Sequence, residues 1–129
     1  MKTIQYRAIG GYAENTLVEI PSPTPADDQM LISMRTVRTN PIDNAFRSGH
    51  HWAATPENLP RVGGQTGVGQ VVESRSPPYK VGDRVFVTGP GFGIIVDGTW
   101  RTSLAGQRPE VLCRTWPSPV RQGRRQSFL

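Results

Sequence analysis

Apolar and polar positions alternate along most of this chain with a period of two. A helical period shows only once. Met30, Ile32, Met34, Thr36 and Arg38 share one face, with Leu31, Ser33, Arg35 and Val37 on the other. Residues 30–38 therefore predict the clearest strand. Ile4, Tyr6 and Ala8 fall on one side of an opening strand that Gly10-Gly11 breaks, and Asn15–Ile20 resumes the alternation. Val68–Ser74 and Arg84–Thr88 read as further strands, and Gly93–Val96 as the start of another. The period changes at Asn40-Pro41-Ile42-Asp43-Asn44-Ala45-Phe46-Arg47. Pro41 suits a first helical turn with Asn40 as its cap, Ile42 and Phe46 stack at i,i+4, and Gly49 is a natural stop. One short helix is expected here.

Turn chemistry fills the rest. Pro21, Pro23 and Pro25 predict an extended surface connector, and Asp27-Asp28 a turn before the long strand. Pro77-Pro78 makes a corner, Lys80-Val81-Gly82-Asp83 a turn, and residues 50–60 are irregular. From Arg101 onward neither period persists, and residues 101–129 carry six arginines and three prolines. This pattern predicts a disordered or loosely attached end.

Composition narrows the picture. The 129 residues hold 36% apolar and 8% aromatic side chains, with 14 glycines and 12 prolines. That suits one mainly β domain with a modest core. No run of eighteen apolar residues marks a membrane span, and the N-terminus lacks the apolar stretch of a secretory leader. A single cysteine, Cys113, leaves no internal disulfide or cysteine-cluster zinc site, so the cytoplasm is the expected compartment. The net charge of +5 is local: residues 1–106 carry ten Lys/Arg against nine Asp/Glu, whereas residues 107–129 carry five arginines against Glu110. The Arg121, Arg124, Arg125 cluster reads as a solvated tail, and nucleic-acid binding is not expected.

Gly63-Gly64-Gln65-Thr66-Gly67-Val68-Gly69 invites a phosphate-loop reading. A dinucleotide loop needs GxGxxG leading into a helix. Here the order is GxxGxG and a strand follows, so the glycines read as structural, permitting close backbone approach.

Several segments in order resemble the N-terminal domain of the medium-chain dehydrogenase/reductase superfamily. They are Thr39–Asp43 with Arg47-Ser48-Gly49, then Gly64–Glu73, Tyr79–Val87 and Asp97-Gly98-Thr99-Trp100. The asparagine-proline-x-aspartate form is similar to its zinc-independent quinone oxidoreductase branch. The resemblance covers roughly residues 1–100. It implies a mainly β, partly open, GroES-like β-barrel with one or two short helices and an irregular C-terminal tail. The expected division is a domain over residues 1–104 and an irregular basic tail over 105–129.

Where zinc-dependent members carry a ligand cysteine and the histidine and glutamate of a Gly-His-Glu motif, this chain carries Asn40, Gln65 and Thr66. Amides lack the soft thiolate or imidazole that zinc favours, so no metal site is expected. By resemblance Asn40, Asp43, Arg47, Gln65 and Thr66 line a substrate and cofactor cleft. The plainer reading is a cap for Asn40, structural hydrogen bonds for Asp43 and a solvated side chain for Arg47. The resemblance also implies NADPH-driven hydride transfer to a quinone or enone. No strand–GxGxxG–helix unit stands in the 129 residues to hold NADPH. A truncated or frame-shifted chain, inactive alone and binding no cofactor, is therefore expected, with no catalytic residue assigned. The alternative is a non-catalytic module whose partner is a Rossmann-bearing chain or a second copy of itself.

Overall fold

A computed structural model describes residues 1–89, 91–107 and 114–115. Among these residues eight strands form two sheets, with one α-helix beside them. Strand β1 (Lys2–Tyr6) lies between β2 (Asn15–Glu19) and β4 (Arg61–Val62), antiparallel to both. The larger sheet has the order β7 (Ser103–Gln107), β3 (Gln29–Arg38), β5 (Thr66–Ser74), β6 (Arg84–Thr88), β8 (Arg114–Thr115), antiparallel throughout. Among the described residues neither sheet closes on itself, consistent with a partly open GroES-like fold.

The periodicity of β3 translates directly into packing. Met30 and Ile32 are fully buried and join Val71, Val85, Val87, Phe92 and Leu104 in the main core. Register shifts between Leu31 and Ile32 and between Met34 and Thr36 bend β3 against β5. The glycines of β5 make room for this. A Cβ at Gly69 would stand 2.4 Å from Ile32 Cγ2 and 2.7 Å from the Ser33 carbonyl oxygen. The structural reading of the glycine stretch therefore holds at this position.

Three expectations change. The strand predicted from Ile4, Tyr6 and Ala8 ends at Tyr6, and its buried residues are Thr3 and Tyr6, while Ile4 and Ala8 are exposed. Burial on β1 is set by its neighbours: Arg101 bridges to Thr3, and Ile4 N–H donates to the Trp100 carbonyl at 2.9 Å. Gly93–Val96 forms a tight turn in place of a strand, with Gly93 N–H donating to the Val96 carbonyl at 2.9 Å. Most consequentially, order does not dissolve at Arg101. Strand β7 pairs with β3 from Ser103↔Ser33 to Gln107↔Gln29. Its Leu104 is fully buried, and burying such a side chain contributes about 1.5–3 kcal/mol. Ser103-Leu104-Ala105-Gly106-Gln107 is a weak strand by propensity, and the waiting edge of β3 overrides that weakness. Apart from Arg114–Thr115, the remainder of the expected tail, with Cys113, Trp116 and the arginine cluster, lies outside the described residues.

The segment 97–102 staples the two sheets together. Gly98, Thr99 and Trp100 N–H groups donate to the carbonyls of Val62, Gly64 and Gly63 at 2.8, 2.9 and 3.0 Å. Thr102 N–H then donates to the Lys2 carbonyl, and Met34 N–H to the Thr102 carbonyl. Among the described residues no helix is long and apolar enough to cross a membrane.

Candidate functional site

Helix α1 (Pro41–Ser48) follows β3 directly, and its cap, first turn and last turn place the expected site residues Asn40, Asp43 and Arg47. Pro41 occupies the position where a missing N–H costs nothing, and Gly49 ends the helix at φ 83° in the left-handed region. Asn40 and Asp43 form a capping box. Asn40 N–H donates to Asp43 Oδ2 at 2.7 Å. The Gln65 backbone N–H lies near the same carboxylate and favours its charged form. Asn40 Nδ2 reaches across to donate to Thr66 Oγ1 at 3.1 Å. Thr99 Oγ1 donates to the Thr66 carbonyl at 2.9 Å.

Asn40, Asp43, Gln65 and Thr66 are thus joined in one network linking α1 to the entrance of β5. The cap reading of Asn40 and the structural reading of Asp43 are both realised. Asp43 is 7% exposed. Burial pushes its carboxyl above the usual carboxylate range, against the two backbone N–H groups, which pull it down. Tyr6 is buried beneath and donates its hydroxyl to the Gly93 carbonyl at 2.9 Å. Burial raises the Tyr6 phenol to about 12.

Arg47 stands one turn further along. It is not the solvated side chain of the plainer reading, being 4% exposed. Its guanidinium donates to Asn44 Oδ1 and lies under the Tyr12 ring, with Cζ 4.5 Å from the ring centroid. A pocket of about 440 Å³ opens here, lined by Tyr12, Asn15, Asn40, Asp43, Arg47 and Trp100, among others. Tyr12, Asn15 and Trp100 carried no site signal in the sequence. Tyr12 sits on a single 3-10 turn between β1 and β2, and Trp100 on the staple segment. Gly63 and Gly64 make room for Trp100: a Cβ at Gly64, where φ is 91°, would stand 2.3 Å from Trp100 Cδ1. That glycine pair was the one available hint.

The residues do not suit a bound metal or dinucleotide. Asn40 and Gln65 offer only amides where zinc prefers thiolate or imidazole. The N-terminus of α1 has its cap N–H closed by the Asp43 carboxylate, so it does not present an open anion cradle of the kind that holds pyrophosphate.

Comparison with known proteins fits this architecture. The family model described as alcohol dehydrogenase GroES-like domain matches residues 26–108, more than half of the chain and past the point where the sequence resemblance was expected to stop. A quinone-oxidoreductase homolog of the chloroplast from Spinacia oleracea is 32% identical over 88 residues, covering 66% of this chain and 27% of that protein. The quinone oxidoreductase structure from Coxiella burnetii superposes with a TM-score of 0.76 at 28% identity, covering 88% of this chain and 36% of that one. The Escherichia coli quinone oxidoreductase complexed with NADPH shares the fold, with a TM-score of 0.71 at 23% identity over 88% of this chain and 33% of that one. The chain spans about a quarter of the length of the curated relative from Spinacia. With its antiparallel open sheets, its capped α1 and this set of relatives, the chain belongs to the alcohol dehydrogenase GroES-like domain family, in the company of quinone oxidoreductases of the medium-chain dehydrogenase/reductase superfamily.

Proposed function

We propose that these residues form the substrate-side domain of a zinc-independent quinone oxidoreductase-like enzyme, with NADPH held by a Rossmann-bearing partner. The observation that carries this reading is the joining of Asn40, Asp43, Gln65 and Thr66 into one network beside an open pocket, in a chain of this family. Within the network Asp43 fixes the start of α1 and the Gln65 backbone, while Asn40 and Thr66 hold each other in place. The pocket wall is therefore preorganised before any substrate arrives. NADPH, when bound by the partner, supplies the hydride; the residues here bind and orient the acceptor.

On this reading the 129-residue chain alone oxidises no NADPH. Purified chain mixed with NADPH and 1,4-benzoquinone should show no saturable rate above the uncatalysed one, and a saturable rate would overturn the proposal. Metal analysis of the same preparation should find no stoichiometric zinc.

A second reading, a non-catalytic interaction module, is favoured by one feature. Trp52, Ile95 and Val96 are 85%, 58% and 48% exposed. Ala53 and Ile94 beside them are buried in the smaller core with Phe46. Apolar side chains exposed in a group mark an association surface. Size-exclusion chromatography with light scattering separates the readings. A discrete complex lost on Trp52→Ser supports the module, and a monomer at all concentrations argues against self-association.

A further inference from the structure

Arg47 is buried, yet its charge is met only in part. Its Nη2 donates to Asn44 Oδ1. Its Nη1 is closed off from solvent and has no hydrogen-bond partner. The described ion pairs are Arg61–Asp97 and Arg75–Glu73, so no carboxylate among the described residues pairs with Arg47. Asp43, on the same pocket wall, has its carboxylate committed to the N–H groups of Asn40 and Gln65. What balances the guanidinium is the Tyr12 ring above it and the helix C-terminus, since Arg47 lies in the last turn of α1. Both are weaker partners than a carboxylate, which a guanidinium fork meets with charge-assisted hydrogen bonds.

The unmet donor has a neighbour of opposite kind. Asn15 Oδ1 is also buried without a partner, and Asn15 lines the same pocket. A pocket of about 440 Å³ is within the range that holds small organic ligands. Trp100 and Pro41 are among the residues of its wall. The cover over Arg47 is slight: Tyr12 is 80% exposed and rests on a three-residue 3-10 turn after Gly10-Gly11. No Cβ at Gly11 would meet another atom within 4 Å, so the space beside this turn is open.

We propose that this pocket is a subsite for a small aromatic carboxylate, which replaces the Tyr12 ring as the partner of Arg47. The carboxylate accepts from the freed Nη1, the aromatic body lies against Trp100 and Pro41, and a hydroxyl on the ligand, where present, donates to Asn15 Oδ1. Such a ligand would be an acidic acceptor or inhibitor of the substrate-side domain. The inference rests on the substrate-side reading for that role, and on nothing but this chain for the binding itself.

The test uses the full chain without NADPH, so its outcome is separate from that of the turnover assay. Benzoate and its neutral isostere benzamide are titrated into nitrogen-15-labelled protein, following the side-chain signals of arginine and asparagine. Benzoate should shift the Arg47 Nε–H signal saturably, and benzamide should not. Arg47→Gln should weaken benzoate binding by about tenfold or more, the scale of a lost charge-assisted hydrogen bond. Tyr12→Ala should tighten it by roughly two- to fivefold, because the ring no longer has to be displaced. Tyr12 is largely exposed, so this variant stays informative if Arg47→Gln fails to fold. Equal binding of benzoate and benzamide, no saturable shift, or unchanged or weaker binding in Tyr12→Ala would each overturn the proposal.

Discussion

Ile32 and Asp43 are both buried, one in the middle of the large sheet and the other at the start of α1, yet different forces keep them there. Ile32 sits among Met30, Val71, Val85, Val87 and Leu104, where burial is non-directional and rewards any apolar side chain of the right volume. Asp43 is held by a directional hydrogen bond from the Asn40 backbone N–H, and its carboxyl is also stabilised by the distant Gln65 N–H. The first region tolerates error in geometry and punishes lost volume. The second tolerates little error in geometry, because a buried polar atom without its partner is costly.

Ile32→Ala should have the largest effect, about 2–5 kcal/mol from lost burial and the cavity left behind. Urea unfolding followed by circular dichroism would read it as a lower midpoint at unchanged slope. A loss below about 1 kcal/mol would mean that the core collapses to fill the gap and that the contrast is overstated.

Asp43→Ala comes next, at about 1–3 kcal/mol, since it strands the N–H groups of Asn40 and Gln65. Its pH signature distinguishes it from a core defect. Burial raises the Asp43 carboxyl above its ordinary 3.8, so the folded state holds the proton more tightly than the unfolded state. The ionised form therefore costs stability above the folded pKa, and that cost fades as pH falls through the folded pKa toward 3.8. The melting temperature of wild type minus that of Asp43→Asn should rise as pH is lowered from 7 into this window. A flat or falling difference would show that the two N–H groups outweigh burial.

Thr66→Val removes the acceptor of Asn40 Nδ2 while nearly preserving shape, and should cost about 0.5–1.5 kcal/mol. Pairing it with Asn40→Ala in a double-mutant cycle sharpens the comparison: the two effects should be non-additive, because they report the same bond. Tyr12→Ala should be smallest, about 0.5–1 kcal/mol for a cation–π contact with an exposed ring. Its melting temperature should fall by less than that of any variant above.

The middle strands of the large sheet were legible because their information is local. Met30, Ile32 and Met34 announce a face through their spacing, and Val85 and Val87 do the same in β6. Helix α1 was legible for a similar reason: Asn40, Pro41 and Gly49 each suit one place in a helix and few others. The network at Asp43 was only half legible. Its cap partner lies three residues away, whereas Gln65 and Thr66 lie more than twenty away, and only the resemblance pointed to them. Tyr12 and Asn15 gave no warning, and Trp100 only the hint of the glycine pair that makes room for it, since the course of the 3-10 turn, the start of β2 and the 97–102 segment is set by other elements.

Strand β7 shows the limit most clearly. Ser103–Gln107 has little apolar content and reads as the start of an unstructured end, yet Leu104 is fully buried. What it lacks in propensity is supplied by the unpaired edge of β3 and by the hydrogen bonds of Thr102 that aim the chain along it. By itself the sequence determined the faces of β3 and β6, the one helix with its ends, and the close-packing role of the glycines, because each follows from the period and stereochemistry of neighbouring residues. Tertiary structure alone decided which face of β1 is buried, that β7 joins the sheet, and that Arg47 lies beneath Tyr12. Each of those depends on partners far along the chain, and the free energy of burial is settled only when the partners meet.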